Sequence, residues 1–455
     1  MSKTEFRPDR QTLVVVGHGM VGLRFCEKMV EYDVAKQFRI ITFCEEPRAA
    51  YDRVGLTSFF THRNSESLMQ ARRDWYHQNG IEIHIGDRVS EIDHKLKIVR
   101  SDRFIGIKYD YVVLATGSYP FVPPIPGIKK KGVFVYRTVD DLDRITDYAK
   151  HLKTAAVIGG GLRGLEAAQA ACELGLKTHI IEFAPRLLSK QIDDAGSRIL
   201  VQRIEDLGVR VRLNTKITEI HGTRRVERME FSDGESLNVD MIIVSAGIQP
   251  RDELARESGL EVAARGGVVV NDRLVTSAPE IFAIGEVTRH AGTVYGLVAP
   301  GYEMAEVAAR NLCGGEQQFS GTDVSTNLKL MGVDVASFGD YEADAQTVVP
   351  VTFEDPVSGT YKKLLFNQSG TQLIGGLLIG DASEYASLSI MANAKTPLSR
   401  KPQELILRTD AAGTSQGGIG EIPDDSQISS YHNVLKPNIG RKIKNRDLPT
   451  VRQIK

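Results

Sequence analysis

The chain has 455 residues, enough for two to four domains with their own cores, and its 42% hydrophobic and 25% charged residues fit an ordinary soluble globular protein. A formal net charge of −1 offers no basic field to nucleic acid or an anionic membrane surface, and no apolar run is long enough to span a bilayer. The polar start, MSKTEFRPDRQ, does not read as a signal peptide, so a cytoplasmic location is expected.

The first element is the run Leu13 to Val16, suited to a buried parallel strand. Gly17, Gly19 and Gly22 follow at the spacing G-x-G-x-x-G, and a helix opens at once with Leu23, Cys26 and Met29 for its buried face. One glycine permits the tight turn, the next lets the backbone approach a pyrophosphate, and the third lets helix and strand pack closely. The helix N-terminus adds free N–H groups and a positive dipole end. His18 and Met20 lie in this loop, where His18 is expected to act through its backbone. The next strand, RIITF, leads to Glu45 and Glu46, one of which is placed to accept ribose hydroxyls; the sequence does not choose between them.

The pattern recurs in AAVIGGGLRGLEAAQAACELGLKTHIIEFAPR. Gly159, Gly160, Gly161, Leu162 and Gly164 form the loop, and Glu182 closes the following strand. A carboxylate there favours an unphosphorylated ribose, hence NADH over NADPH, although Arg186 close by could tolerate a phosphate. Two such units, each with its acid, imply two adenine dinucleotides. The economical pair is a resident flavin and an exchanging nicotinamide. The four cysteines, Cys26, Cys44, Cys172 and Cys313, include no Cys-x-x-Cys pair, so no local redox disulfide, zinc or iron–sulfur motif is expected. Cys26 and Cys172 read as small buried hydrophobes.

Further segments resemble the FAD-dependent pyridine-nucleotide reductases: Ala115-Thr116-Gly117 as the second flavin contact, Gly247 and Ile248 beside the nicotinamide path, and Gly285-Glu286 in place of the usual Gly-Asp on the ribityl chain. The resemblance implies FAD on the first glycine loop, with Val89, Val298 and Ala299 at the same site, and NADH on the second. The motifs VVVGHGMVG, EEPRAAYDRVGLTSFF, VYRTVDDLD, GGGLRGLEAA, GLVAPGYEMA and STNLKLMGVDVASFGD resemble more closely the amino-terminal half of the large subunit of NAD(P)H-dependent assimilatory nitrite reductases. Electron-transfer subunits of assimilatory nitrate reductases are near relatives of that family. Ser58 stands where rubredoxin and ferredoxin reductases carry a lysine, as in the nitrite-reductase branch, and Val287 replaces a cysteine of the family.

The implied fold is α/β: two Rossmann-like dinucleotide-binding domains, the FAD domain (1–120 and 250–318) interrupted by the NAD domain (121–249), then a small α+β C-terminal domain (319–385) and an irregular tail (386–455). Hydride transfer needs the nicotinamide C4 hydrogen within about 3–3.5 Å of flavin N5 and no acid or base. Arg53, Leu56 and Thr57 are the expected flavin neighbours. Arg53 either stabilises the reduced ring or pairs with the pyrophosphate. The resemblance implies that Glu166 approaches the nicotinamide carboxamide; otherwise it is a buried carboxylate paired elsewhere or an exposed helix charge. Lys329 reads as a solvated strand residue.

Near the end, DDSQISSYHNV keeps the frame of the family's [2Fe–2S] module, but Ser429 and Tyr431 stand where the thiolates would be, and His432 cannot replace them. No iron–sulfur cluster is therefore expected; the family's sirohaem module would follow the chain's last residue, so no sirohaem is expected either, and the flavin's electrons are expected to leave for a separate protein. That acceptor would be a nitrite or nitrate reductase subunit, a ferredoxin or a rubredoxin, and the chain could form a homodimer. A rubredoxin-type diaphorase and a sensing flavoprotein without turnover are the alternatives.

Overall fold

The structure is a computed structural model. It describes residues 10–57, 59–60, 66–321, 325–344, 346–395, 397–398 and 400–407, and the strand positions 427–429 and 434–435. The described residues of 1–159, 170–176 and 217–322 gather into one compact unit, and those of 160–169, 177–216 and 323–455 into a second.

In the first unit, Leu13, Val14 and Val15 are fully buried, as a strand covered on both faces requires. The Gln11–Val16 strand pairs in parallel with Phe38–Cys44 on one side and Tyr111–Leu114 on the other. Glu82–Ile85 and Ile281–Ala283 extend the sheet, giving the order 281–283, 111–114, 11–16, 38–44, 82–85. The chain reverses direction of growth at the first strand, so the crevice at its C-terminal end is a topological switch point. Gly17 occupies that end at φ +97°.

Close packing holds the helices to this sheet. The helix Met20–Tyr32 lies against Val298–Leu312, where a Cβ on Gly301 would stand 2.6 Å from Val21 Cγ2. A second set of parallel strands in this unit joins Thr154–Ile158 to Met241–Val244, and that strand to Val133–Val135.

The second unit carries the parallel pair Lys177–Ile181 and Arg210–Arg212 and the helix Asp194–Asp206. Its largest element is a five-stranded antiparallel sheet, ordered 326–330, 333–339, 373–379, 360–367, 348–355. The expected alternation of Thr326–Leu330 holds: Thr326 and Leu330 are buried and Lys329 is exposed.

The helix Asp194–Asp206 packs on this sheet. Asp193, its N-cap, accepts from Gly196 N (3.0 Å), Tyr361 OH (2.8 Å) and Lys363 Nζ (2.9 Å). These bonds hold the carboxyl below the usual carboxylate range against the opposing effect of burial.

Beyond Asp381 the sequence suggests a linker with one short helical piece. Two helices are present, Tyr385–Ala394 and Pro402–Leu407. Leu388, Ala392, Leu405 and Ile406 join the core of the antiparallel sheet. Small residues in YASLSIMANA mask the apolar stripe from a reading by composition. In the tail, Gln427–Ser429 pairs antiparallel with Val434–Leu435. Ser58, Tyr431 and His432 lie outside the described residues.

Candidate functional site

The first glycine loop is built by steric need. A Cβ on Gly17 would stand 2.4 Å from Ala115 O, and one on Gly22 would stand 2.3 Å from Gly17 O. A Cβ on Gly19 would meet nothing within 4 Å, so that position faces open space. Gly19 is the N-cap of Met20–Tyr32. It makes no side-chain cap, and the first turn holds no acidic residue. The first N–H groups of a 13-residue helix are therefore available to an anion. This cradle fits the pyrophosphate of a dinucleotide.

His18 departs from the expectation that only its backbone matters. Its ring is buried, with Nδ1 3.0 Å from Thr42 Oγ1 and Nε2 2.8 Å from Tyr76 OH. The imidazole thus ties the loop to the second strand and to the helix Arg73–Gln78. Burial lowers its pKa from 6.5 to about 4. Between those values the unfolded chain binds a proton that the folded chain refuses, so stability falls as pH drops from about 6.5 towards 4, by roughly 3 kcal/mol in all. In His18→Gln this part of the pH dependence should vanish, as read from denaturant unfolding of both proteins at pH 4.5 and 7.

Both candidate ribose carboxylates are engaged. Glu45 follows the second strand directly and pairs with Arg251, whose guanidinium lies 4.4 Å from the centre of the Tyr119 ring. Glu46 pairs with Arg53 and accepts from Tyr51 OH at 2.8 Å. Each carboxylate retains lone pairs for a hydroxyl. Arg53 N also bonds Met20 Sδ (3.3 Å), and Thr57 Oγ1 stands 3.5 Å from Tyr136 OH.

Around Ala115, Thr116 and Gly117 the structure adds a residue that sequence reasoning missed. Arg137 Nη2 donates to Glu286 Oε2 (2.6 Å) and Ser118 Oγ (3.0 Å) and lies 4.0 Å from where a Gly117 Cβ would be. Ser118 Oγ donates to the same Glu286 oxygen at 2.6 Å, and Arg53 Nη1 reaches Arg137 O at 3.4 Å. The signal was the VYRTVDDLD stretch: Thr138 caps the helix Val139–Ala149 in a capping box with Asp141, which fixes the residue before it.

Thr116 Oγ1 donates to Arg251 O at 2.8 Å. The strand Ile248–Pro250 pairs with Ser118–Pro120, which brings Gly247 and Ile248 to the same place; Gly247 O accepts from Phe121 N. Gly285 sits at φ +79° against Val21. Val298 and Ala299 open a helix whose N-cap, Leu297, makes no side-chain bond. Val89, buried, begins the strand Val89–Asp93.

In the second glycine loop, a Cβ on Gly159 would collide with Ser245 O at 2.3 Å, and Gly161 faces open space. Leu162 opens the helix that holds Gly164, and its first turn has no acid. Glu182 accepts from Gly160 N (2.5 Å) and Ala184 N (2.6 Å), which fixes the carboxylate at the end of Lys177–Ile181. Arg186 is committed to Asp194 (2.8 Å) and Ser189 O (3.2 Å). Glu166 pairs with Arg163 at 3.0 Å.

Cys26 and Cys44 are buried free thiols whose pKa values burial pushes up to about 12 and about 11, so neither is a nucleophile. Cys172 is half-buried rather than fully enclosed.

Two glycine turns, each opening a helix whose first turn holds no acid and each with a carboxylate after the next strand, define an α/β oxidoreductase of the two-dinucleotide class. The chain belongs to the pyridine nucleotide-disulphide oxidoreductase family, whose model matches residues 11–311; residues 325–396 match the rubredoxin NAD+ reductase C-terminal domain. The family uses FAD and NADH, and the chain is an NAD(P)H oxidoreductase.

It is 45% identical over 431 residues to the nitrite reductase [NAD(P)H] large subunit of Klebsiella oxytoca, covering 94% of this chain and 45% of that one. It is 34% identical over 450 residues to the assimilatory nitrate reductase electron transfer subunit of Bacillus subtilis, covering 98% and 57%. The chain thus spans about half the length of the curated relatives it matches. Among solved structures, the ferredoxin reductase for the CYP199A2 system from Rhodopseudomonas palustris superposes with a TM-score of 0.78 at 24% identity, covering 89% of this chain and 98% of that one, which shows the shared fold. Among the described residues no helix is long and apolar enough to cross a membrane.

Proposed function

We propose that this chain oxidises NADH at the Gly159–Gly164 loop, reduces FAD held on the Gly17–Gly22 loop, and delivers the electrons to a separate redox protein. The observation that carries this reading is the doubled glycine turn, each opening a helix with no acid in its first turn and each followed by a carboxylate after the next strand. FAD, when bound, supplies a two-electron acceptor for the hydride and a donor able to release electrons singly.

The remaining work belongs to the chain. The two loops bind the pyrophosphates through backbone N–H groups. Glu182, held by two N–H donors, is fixed in place to receive the ribose hydroxyls. Arg186 turns instead to Asp194, which supports NADH over NADPH. The N-terminus of Val298–Leu312 brings positive potential to the flavin side, while Arg53 and Arg137, each paired with a carboxylate, hold their segments in place.

The division inferred from the sequence accompanies this reading: FAD on 1–120 and 250–318, NAD on 121–249. It is supported by the first sheet, which takes its strands from both sides of residues 121–249. The match of residues 325–396 supports a protein acceptor, and the likeness to nitrite and nitrate reductase subunits supports one in nitrogen assimilation. The purified chain should be yellow, and NADH should bleach the flavin band under anaerobic conditions far faster than NADPH does. Retention of the band at millimolar NADH would sink the reductase reading.

A further inference from the structure

The first unit also carries a cleft of about 430 Å³ lined by Lys131, Tyr148, Thr223, Arg224, Arg225 and Glu227. None of these residues belongs to either dinucleotide loop. The volume lies in the range of small-molecule sites, ~300–1,000 Å³. We propose that this cleft binds a small organic phosphate. Lys131, Arg224 and Arg225 would take the phosphoryl oxygens, the Tyr148 hydroxyl would add a hydrogen bond, and Glu227 would accept from a hydroxyl or amine at the ligand's other end.

The charge balance is the first support. Three cations line the cleft against one carboxylate, and among the described residues none of the three pairs with an acid. Elsewhere on the chain arginines are commonly matched: Arg39 with Glu82, Arg100 with Glu91, Arg310 with Glu306. Three unmatched cations at one cleft attract a multivalent anion, and the fork of an arginine suits phosphate oxygens.

Preorganisation is the second support. Lys131 and Arg225 form a β-bridge, Val226 N donates to Lys131 O at 2.9 Å, and Glu227 N donates to His221 O at 2.9 Å. Val226 is buried between the cationic segments. Gly222 closes the turn at φ +146°, where a Cβ would stand 1.8 Å from Arg225 O. The backbone bearing Lys131 and Arg225 is therefore held before any ligand arrives, which lowers the ordering cost of binding.

The Tyr148 hydroxyl is the third. Its oxygen is buried without a hydrogen-bond partner, which is costly for a phenol. The ring is held beside Phe134, 5.1 Å between centres. Gly132 makes room for the hydroxyl, since a Cβ there would lie 2.7 Å from it. A small turn of the ring that brings the hydroxyl to the cleft would let a phosphoryl oxygen supply the missing partner.

The site is independent of the redox reading and is tested by binding alone. Isothermal titration would use the FAD-loaded chain saturated with NAD+, so that neither dinucleotide site responds, with ribose 5-phosphate and pyrophosphate as probes. Saturable one-to-one binding is expected. Arg224→Gln combined with Arg225→Gln should weaken it about 10-fold or more, Tyr148→Phe should weaken it about 3- to 10-fold, and Arg256→Gln should leave it unchanged. Circular dichroism and flavin content should stay the same in all variants. Equal affinity in the double variant overturns the assignment, as does absence of heat at about 10 mM probe. Binding of an acidic protein, lost in the double variant while both phosphates fail, overturns it in favour of a docking surface.

Discussion

Gly22→Ala should yield a chain that retains little flavin and unfolds at a lower temperature, while Gly19→Ala should keep its fold and lose only flavin affinity. The contrast follows from where each new methyl group would go. At Gly22 it would lie 2.3 Å from the carbonyl oxygen of Gly17. That oxygen cannot retreat freely, because Gly17 is already pressed against Ala115 O at a φ of +97°. Relief requires moving the helix away from the strand, which costs the close packing of both, on the order of 1–3 kcal/mol or more. It also displaces the N–H groups aimed at the pyrophosphate. At Gly19, φ is −89° and nothing lies within 4 Å. Alanine fits the protein there but occupies the side from which a phosphate approaches. Flavin absorbance per chain after purification, with thermal unfolding of each variant, separates the two effects. Full flavin content in Gly22→Ala would falsify the assignment of this loop as the pyrophosphate cradle.

The second large effect is expected at Glu286. Its carboxylate receives Arg137 and the Ser118 hydroxyl on one oxygen, and the Arg137–Glu286 pair is largely shielded, with side chains 15% and 21% exposed. Glu286→Ala leaves Arg137 facing Arg53 with one carboxylate fewer. Removing one partner of a shielded pair strands the other, so a loss of about 2–3 kcal/mol is expected. Glu286→Asp keeps the charge but is one methylene shorter and cannot hold both donors, so an intermediate loss is expected. If Glu286 also bonds the ribityl chain, as its place after Gly285 implies, added FAD should restore less stability to the alanine variant than to the native chain. Unfolding at several FAD concentrations measures both quantities, and an unchanged midpoint in Glu286→Ala would rule out a structural role for the pair.

Much of this was legible in the sequence because its cues are local. The Leu13–Val16 run, the glycine spacing and the β-branched strands at Thr154–Ile158 and Met241–Val244 each carry their signal within a few residues. The antiparallel sheet after residue 325 was legible for the same reason, through alternation and turn residues. The charge network was not. Arg137 meets Glu286, and Arg251 meets Glu45, only because the topology closes one crevice from distant segments, and no sequence period reports that. Nor does any local cue report that the His18 ring, set between two glycines, is buried. Its burial depends on Tyr76, carried by a six-residue helix too short to show a period. The helix Tyr385–Ala394 was hidden by its own composition, since alanine and serine serve linkers and packed helices alike.

The bond set at Asp193 has a consequence for the chain's birth. The helix Asp194–Asp206 and the strands it packs on are separated by roughly 150 residues of sequence, and synthesis at about 5–20 residues per second delays the meeting by roughly 8–30 s. During that interval the helix face at Gly196 lacks Ile379 and Tyr361, whose side chains come to lie 3.3 and 3.4 Å from where a Cβ there would stand. The emerging polypeptide therefore passes through a stage at which this helix is complete in sequence yet uncovered on that face. A ribosome-associated chaperone would have its longest opportunity there, before Tyr361 and Lys363 arrive to close the joint.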